Sequence, residues 1–142
     1  MKAKEFLRKI IHINMMIDCK TNQVIELRSR LTSISSSLGK DKVQTSLDPD
    51  KLTNTISKIM DFEDSINSDI DLLIDYKIKA RGMIEKLDED IEKVILYKRY
   101  FEGKGFEQIA DECAYSLRWI HTLHGEALIK LDKLDKVCSP VH

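Results

Sequence analysis

Apolar residues recur at alternating intervals of four and three over most of the first 87 positions, and no other feature constrains the fold so tightly. From Lys4 to Leu38 they form one seam: Phe6, Ile10, Ile13, Ile17, Val24, Leu27, Leu31, Ile34 and Leu38, broken only by Lys20. That is the period of a helix face packing on another helix. Gly39 supplies a C-terminal stop, and Gly39 to Leu47 is polar and without period. A second helix starts at Asp48, a good N-cap, with Pro49 at the first helical position, where no N–H is required. Its seam reads Leu52, Ile56, Ile59, Ile66, Ile70, Leu73, Ala80, Ile84 and Leu87, interrupted by Glu63 and Lys77. Each helix would extend about 50 Å at ~1.5 Å per residue. Two such helices joined by a modest linker most simply make an antiparallel hairpin. Seams of this length do not stay exposed on a soluble monomer, so they bury each other, a partner, or both.

Composition agrees with helices and excludes much else. Of 142 residues, 42% are hydrophobic and 33% charged, with Gly 5 and Pro 2. So much charge with so little Gly and Pro argues against a sandwich, a barrel or a disordered chain. A formal charge of −1 rules out bulk polycation binding to nucleic acid, so any DNA contact must come from a local surface. Cys19, Cys113 and Cys138 are far apart and odd in number, which fits a reducing cytosol better than a disulfide framework or zinc knuckle. Basic residues precede apolar ones in Met1 to Ile17, but His12 and Asn14 interrupt the run and Asp18 ends it, so a signal peptide is not expected. No apolar stretch approaches the ~20 residues of a membrane span. The expectation is an all-α, soluble, cytoplasmic chain with no membrane contact and no internal repeat.

After Leu87 the character changes. Asp88, Glu89 and Asp90 mark a boundary, with Asp88 able to cap a new helix. Three short helical segments follow: Ile91 to Phe101, Phe106 to Cys113, and Leu117 to about Leu134. Glu102-Gly103-Lys104-Gly105 makes the first break. Ala114-Tyr115 makes the second, followed by Ser116 as an N-cap. Short helix, tight turn, short helix is the helix-turn-helix layout. Its expected core is Ile91, Val94, Ile95, Phe106, Ile109, Ala110, Ile120, Ala127, Leu128 and Leu131, with Ala110 small where two helices cross. The chain therefore divides into residues 1–87, a hairpin for oligomerisation or partner binding, and 88–142, a helix-turn-helix domain.

The stretch Ile91–Leu131 resembles region 4 of the sigma-70 class of transcription initiation factors. The matching residues are Tyr97-x-x-Tyr100-Phe101-Glu102-Gly103, Phe106-Glu107-x-Ile109-Ala110, Ser116, Ile120, Ala127-Leu128 and Lys130-Leu131. With the long N-terminal helices included, the whole looks like the small phage and prophage regulators of the RinA and ArpU late-gene type. Two positions depart from the family pattern. Gly105 stands where Ser or Thr usually caps the first helix of the motif. Cys113-Ala114 stands where the family favours Leu-Gly, so Ala114 either takes a strained left-handed conformation or forces another turn.

The resemblance implies that Leu117, Arg118, His121 and Thr122, just after Ser116, meet base edges in the major groove. Arg118 suits guanine, Thr122 can donate or accept, and Leu117 can touch a thymine methyl. The competing account is an ordinary solvated face, since only Arg118 is a full cation. Lys104 fits a phosphate contact and a solvated loop lysine equally well. Trp119, the one tryptophan, can lie along the groove wall, reach a phosphate through its ring N–H, or pack on the helix hairpin, and packing is the leading expectation. His121 and His124 lie one turn apart, but without a third ligand they read as surface and core histidines, not a metal site. Asp61, Glu63, Asp64, Asp69, Asp71 and Asp75 read as a solvated helix face. Cations and anions balance across the C-terminal third, so DNA binding should need reinforcement by dimerisation or polymerase.

Nothing resembles a nucleophile elbow, a phosphate-binding glycine loop or an acid–base pair, so neither an enzyme nor a cofactor is expected. The leading expectation is a phage or prophage transcriptional regulator that reads promoter DNA, contacts RNA polymerase, and self-associates through its N-terminal helices. Two rivals stand beside it. Small terminase subunits of DNA packaging also join a helix-turn-helix to helical oligomerisation segments. A module that docks on polymerase without touching DNA fits the neutral charge.

Overall fold

A computed structural model describes residues 2–40 and 49–138, with side chains described over 3–33 and 49–134. The fold is all-α, and the described residues contain no strand. Among the described residues five helices follow in order: α1 (Lys2–Lys40), α2 (Pro49–Ile84), α3 (Asp90–Leu96), α4 (Phe106–Cys113) and α5 (Leu117–Cys138). A π-helical turn, Tyr97–Phe101, continues α3. No helix among the described residues is long and apolar enough to cross a membrane. Asp48 and the expected linker beyond Lys40 lie outside the described residues, as do the side chains of Ile34 and Leu38. The expected stop at Gly39 is corrected: α1 runs to Lys40, since one glycine in a helix costs only about 1 kcal/mol.

The described residues pack as two compact units, one within Asn14–Leu72 and one within Met1–Ile13 and Leu73–His142. Within Asn14–Leu72, α1 and α2 pair antiparallel. Lys20 donates to Ser65 Oγ at 2.6 Å and Asp69 Oδ2 at 2.7 Å, while Arg28 reaches Glu63 Oε2 at 3.1 Å. The higher position on α1 meets the lower on α2. Lys20 therefore breaks the α1 seam only in sequence: it is half-buried, with its stem along the seam and its ammonium paired. Two of the six residues read as a solvated acidic face, Glu63 and Asp69, are ion-paired to α1.

The α2 seam is rotated from the expected one. Ile56 and Ile70 are 43% and 39% exposed, whereas Thr55, Phe62, Asp69 and Tyr76 turn inward to half-burial. Positions 52, 59, 66 and 73 anchor both rows, and the residue between each pair sits three or four positions on. The three-step row holds Phe62 and Tyr76, and an aromatic ring buries more apolar area than an isoleucine. It also places Asp69 opposite Lys20. The larger rings and the ion pair set the phase of the helix.

In the other unit, Ala3, Leu7 and Ile10 are buried, as are Leu73, Ala80, Ile84 and Leu87. Phe6 meets Tyr76 with ring centroids 5.0 Å apart, and the Lys77 ammonium sits 5.7 Å over Phe101. The Ala3 N–H, one of the donors α1 leaves free at its start, is taken by Asp132 Oδ1 at 2.9 Å.

The short helices close on a cluster of Ile95, Ile109, Ala110, Ile120 and Leu123, with Ile91, Phe106 and Cys113 against it. Leu96, Tyr100, Ala127, Leu128 and Leu131 extend the buried set. Val94, expected inside, is 38% exposed. At ~100° per residue, α3 points Glu92, Ile95 and Leu96 inward and leaves Val94 at the edge. Glu92 is buried with both oxygens accepting from Lys130 Nζ, at 2.9 and 3.1 Å. Asp88 is not the cap of α3. Glu89 holds that position in extended conformation, with no side-chain cap bond, because the helix begins one residue later than the acidic run suggests.

Candidate nucleic-acid interface

Two local signals shape the end of the chain that the sequence singles out. Gly105 precedes α4 in extended conformation (φ −74, ψ 158) and offers no side chain to cap it. At the far end Ala114 takes the left-handed conformation (φ 59, ψ 39). Tyr115 N–H then donates to Ala110 O at 3.0 Å, closing the six-residue ring by which helices stop, usually with glycine at the turning point. Of the two alternatives left to Ala114, the structure takes the strained one. It is the sole non-glycine residue with positive φ among those described.

Ser116 starts α5. Its Oγ accepts the Trp119 N–H at 3.1 Å, satisfying an N–H that has no carbonyl partner in the first turn. This cap sets the phase of the helix. Ile120, Leu123, His124, Ala127, Leu128 and Leu131 turn inward. Leu117, Arg118, His121 and Thr122 are left exposed at the helix start. Thr122 Oγ1 donates back to the Arg118 carbonyl at 3.1 Å, and the His121 ring leans on Phe106 with centroids 4.5 Å apart. Arg118 has no ion-pair partner among the described residues.

Ser116, Leu117, Arg118, His121 and Thr122 thus come together at one end of α5. Lys104, the sixth candidate, is engaged elsewhere. Its ammonium lies 2.8 Å from Glu112 Oε1 and 2.9 Å from Glu102 Oε1. Hydrogen bonds to Glu112 and then Glu102 raise its pKa above the usual lysine value. Lys98 reaches the same Glu112 oxygen at 2.6 Å. Bonds from Lys104 and Lys98 hold the Glu112 carboxyl down to about 2.

Trp119, expected to pack, is 46% exposed. It precedes the buried Ile120 by one residue, which turns it about 100° off the inner face. Tyr115 and Leu117 are exposed beside it in sequence. Two further outward positions were missed. Gly125 and Ile129 continue the row begun by Arg118 and Thr122, and an added Cβ on Gly125 would meet nothing within 4 Å. The 118–122–125–129 spacing could have revealed them.

Behind the face sits a buried polar pair. Tyr100 Oη and His124 Nε2 lie 2.9 Å apart, and Phe106 packs edge-on to the His124 ring at 4.8 Å. Burial first, then the positive charges of Arg99, Lys4 and His121, lowers the His124 pKa to about 4. Burial raises that of Tyr100. His124 is therefore neutral and Tyr100 keeps its proton near pH 7. The π-helical turn carries Tyr100, and no propensity signal in the sequence announces it.

The α5 start offers a guanidinium, an imidazole, a hydroxyl and an apolar contact beside a helix N-terminus, where positive potential collects. These groups can hydrogen-bond base edges and phosphates. Among the described residues no group of three His, Cys, Asp or Glu side chains is placed to hold a metal ion. No protein-family model, curated protein or solved structure matches the chain.

Proposed function

We propose that this chain is a DNA-binding transcriptional regulator of phage or prophage type, with α4 and α5 acting as a sigma region 4-like helix-turn-helix. In this reading α5 enters the major groove of promoter DNA. The paired α1 and α2 serve as a helical hairpin for self-association or recruitment. One observation carries the reading: a serine-capped helix, braced through its inner face, presents Arg118, His121 and Thr122 outward from its first turns. A recognition helix needs that division of faces.

The neutral charge of the chain and the exposed Tyr115, Leu117 and Trp119 favour a second reading, in which the same end of α5 docks on RNA polymerase. Aromatic and apolar side chains of this kind anchor protein interfaces. Chromatin immunoprecipitation of a tagged copy, with polymerase mapped in parallel, separates the two. Sharp peaks at a promoter that vanish in Arg118→Ala/His121→Ala support sequence reading. Peaks that track polymerase everywhere and survive the double substitution support docking. Absence of peaks, with the protein assembled into a ring beside packaging machinery, would replace both with a packaging role.

A further inference from the structure

The loop between the π-helical turn and α4 is a built structure. Gly103 (φ 71) reverses the chain so that Lys104 N–H donates to the Lys98 carbonyl at 3.0 Å. Arg99 Nη1 donates to the Lys104 carbonyl at 3.2 Å, and its guanidinium lies 4.3 Å over the Phe106 ring. Lys98 and Lys104 are thereby held side by side. Their ammonium groups converge on one oxygen, Glu112 Oε1, at 2.6 and 2.8 Å. Two ammoniums on one oxygen can hold one phosphate group just as well. Glu112 lies on an exposed turn of α4, four residues before the Ser116 cap.

We propose that Lys98 and Lys104 form a phosphate-binding site that the Glu112 carboxylate fills in the free protein, and that a DNA backbone phosphate displaces it. The site rests on the DNA-binding reading and adds to it a contact that the sequence assigned to Lys104 alone. A carboxylate and a phosphodiester both carry one negative charge, so the exchange conserves charge. The three side chains keep 23–30% of their surface in water, so solvent offsets part of the cost when Glu112 leaves. Glu102, the second acid on Lys104, is 48% exposed and stays at the rim. Glu112 thus keeps non-specific binding low and lets a correctly seated duplex gain the contact.

The test is fluorescence anisotropy of the full chain with a mixed-sequence duplex of about 30 base pairs across a salt series. Phosphate contacts do not depend on sequence, so the operator need not be known. Glu112→Gln should tighten binding roughly five-fold or more and steepen the dependence of log affinity on log salt by about 0.9, the value for one phosphate. Asp111→Asn is the control. It removes the same charge from the neighbouring exposed position and frees no lysine, so its slope should match wild type. Adding Lys98→Ala and Lys104→Ala to Glu112→Gln should abolish the gain. Glu112→Ala repeats the test if circular dichroism shows that the glutamine variant is misfolded. Equal gains from Asp111→Asn and Glu112→Gln would reduce the effect to bulk charge and overturn the proposal. So would a gain that survives loss of both lysines. If wild type binds, Arg118→Ala weakens it and Glu112→Gln changes nothing, this proposal fails while the DNA reading stands. If no variant binds the duplex, both fall.

Discussion

Ala114 stores strain that a single substitution can release. A left-handed conformation costs an L-residue roughly 1–2 kcal/mol, against which glycine loses some backbone entropy. Ala114→Gly should therefore raise stability by about 0.5–1 kcal/mol, read as a higher urea midpoint at unchanged slope. A fall in the midpoint would mean the turn is not left-handed. His124 makes a second prediction, in pH. Its folded pKa of about 4 lies below the ordinary value of 6.5. Between those values the unfolded chain binds a proton that the folded chain refuses, so stability falls as pH drops from 6.5 towards 4 and levels off below. Protonation also places a charge beside the Tyr100 hydroxyl in a buried site. The loss is on the order of 2–3 kcal/mol for a shift of this size in a buried group. His124→Gln should flatten that part of the profile. Glu112 titrates lower, its carboxyl being held to about 2, so its loss comes below pH 4.5 and does not overlap the upper part of the histidine window.

The α1–α2 pairing within Asn14–Leu72 turns on the Lys20–Asp69 ion pair, with side chains 19% and 23% exposed. Breaking such a pair strands a part-buried charge, whereas replacing both members with apolar residues removes the demand for a partner. Asp69→Ala should cost about 1–2 kcal/mol. Lys20→Met with Asp69→Leu should match wild type or exceed it. Thermal melts of the two singles and the double give the coupling, and purely additive effects would refute the contact. The same element shows why part of the fold was legible from sequence and part was not. Gly105 and Ser116 are local signals, and the bounds of α4 and the start of α5 follow from them directly. The phase of α2 is not local, because Ile56 and Ile70 offer as good a row as Phe62 and Tyr76 until α1 supplies Lys20. The burial of Glu92 is not local either, because its partner Lys130 is 38 residues away. The π-helical turn has no compositional mark. Leu117, Arg118, His121 and Thr122 were placed outward correctly because the Ser116 cap fixes the phase that exposes them. The engagement of Lys104 by Glu112 depends on a tertiary contact that spacing alone does not encode.

At the scale of the whole molecule, a net charge of −1 leaves no general attraction for a polyanion. In the C-terminal helices and the loop before α4, Lys93, Lys98, Lys104 and Lys130 are all ion-paired. Arg118 and Lys133 have no ion-pair partner among the described residues, and Arg99 is turned to a carbonyl and a ring. A C-terminal surface with so few available cations neutralises few phosphates. Its log affinity for a non-specific duplex should fall with a slope of about −2 against log salt, roughly a ten- to twenty-fold loss between 50 and 200 mM. A protein making six to ten phosphate contacts loses about 10³–10⁵ over that range. Anisotropy measured across the series decides it. A shallow slope that drops by about 0.9 in Arg118→Ala makes Arg118 a phosphate contact. A slope unchanged by that substitution, with discrimination among sequences lost, makes it a base contact. A slope near −6 would require cations beyond those that the C-terminal helices leave unpaired, and would refute the view that a small local surface carries the binding. No measurable affinity at low salt, with recruitment only beside polymerase, would shift the weight to Tyr115, Leu117 and Trp119 as a protein-docking patch.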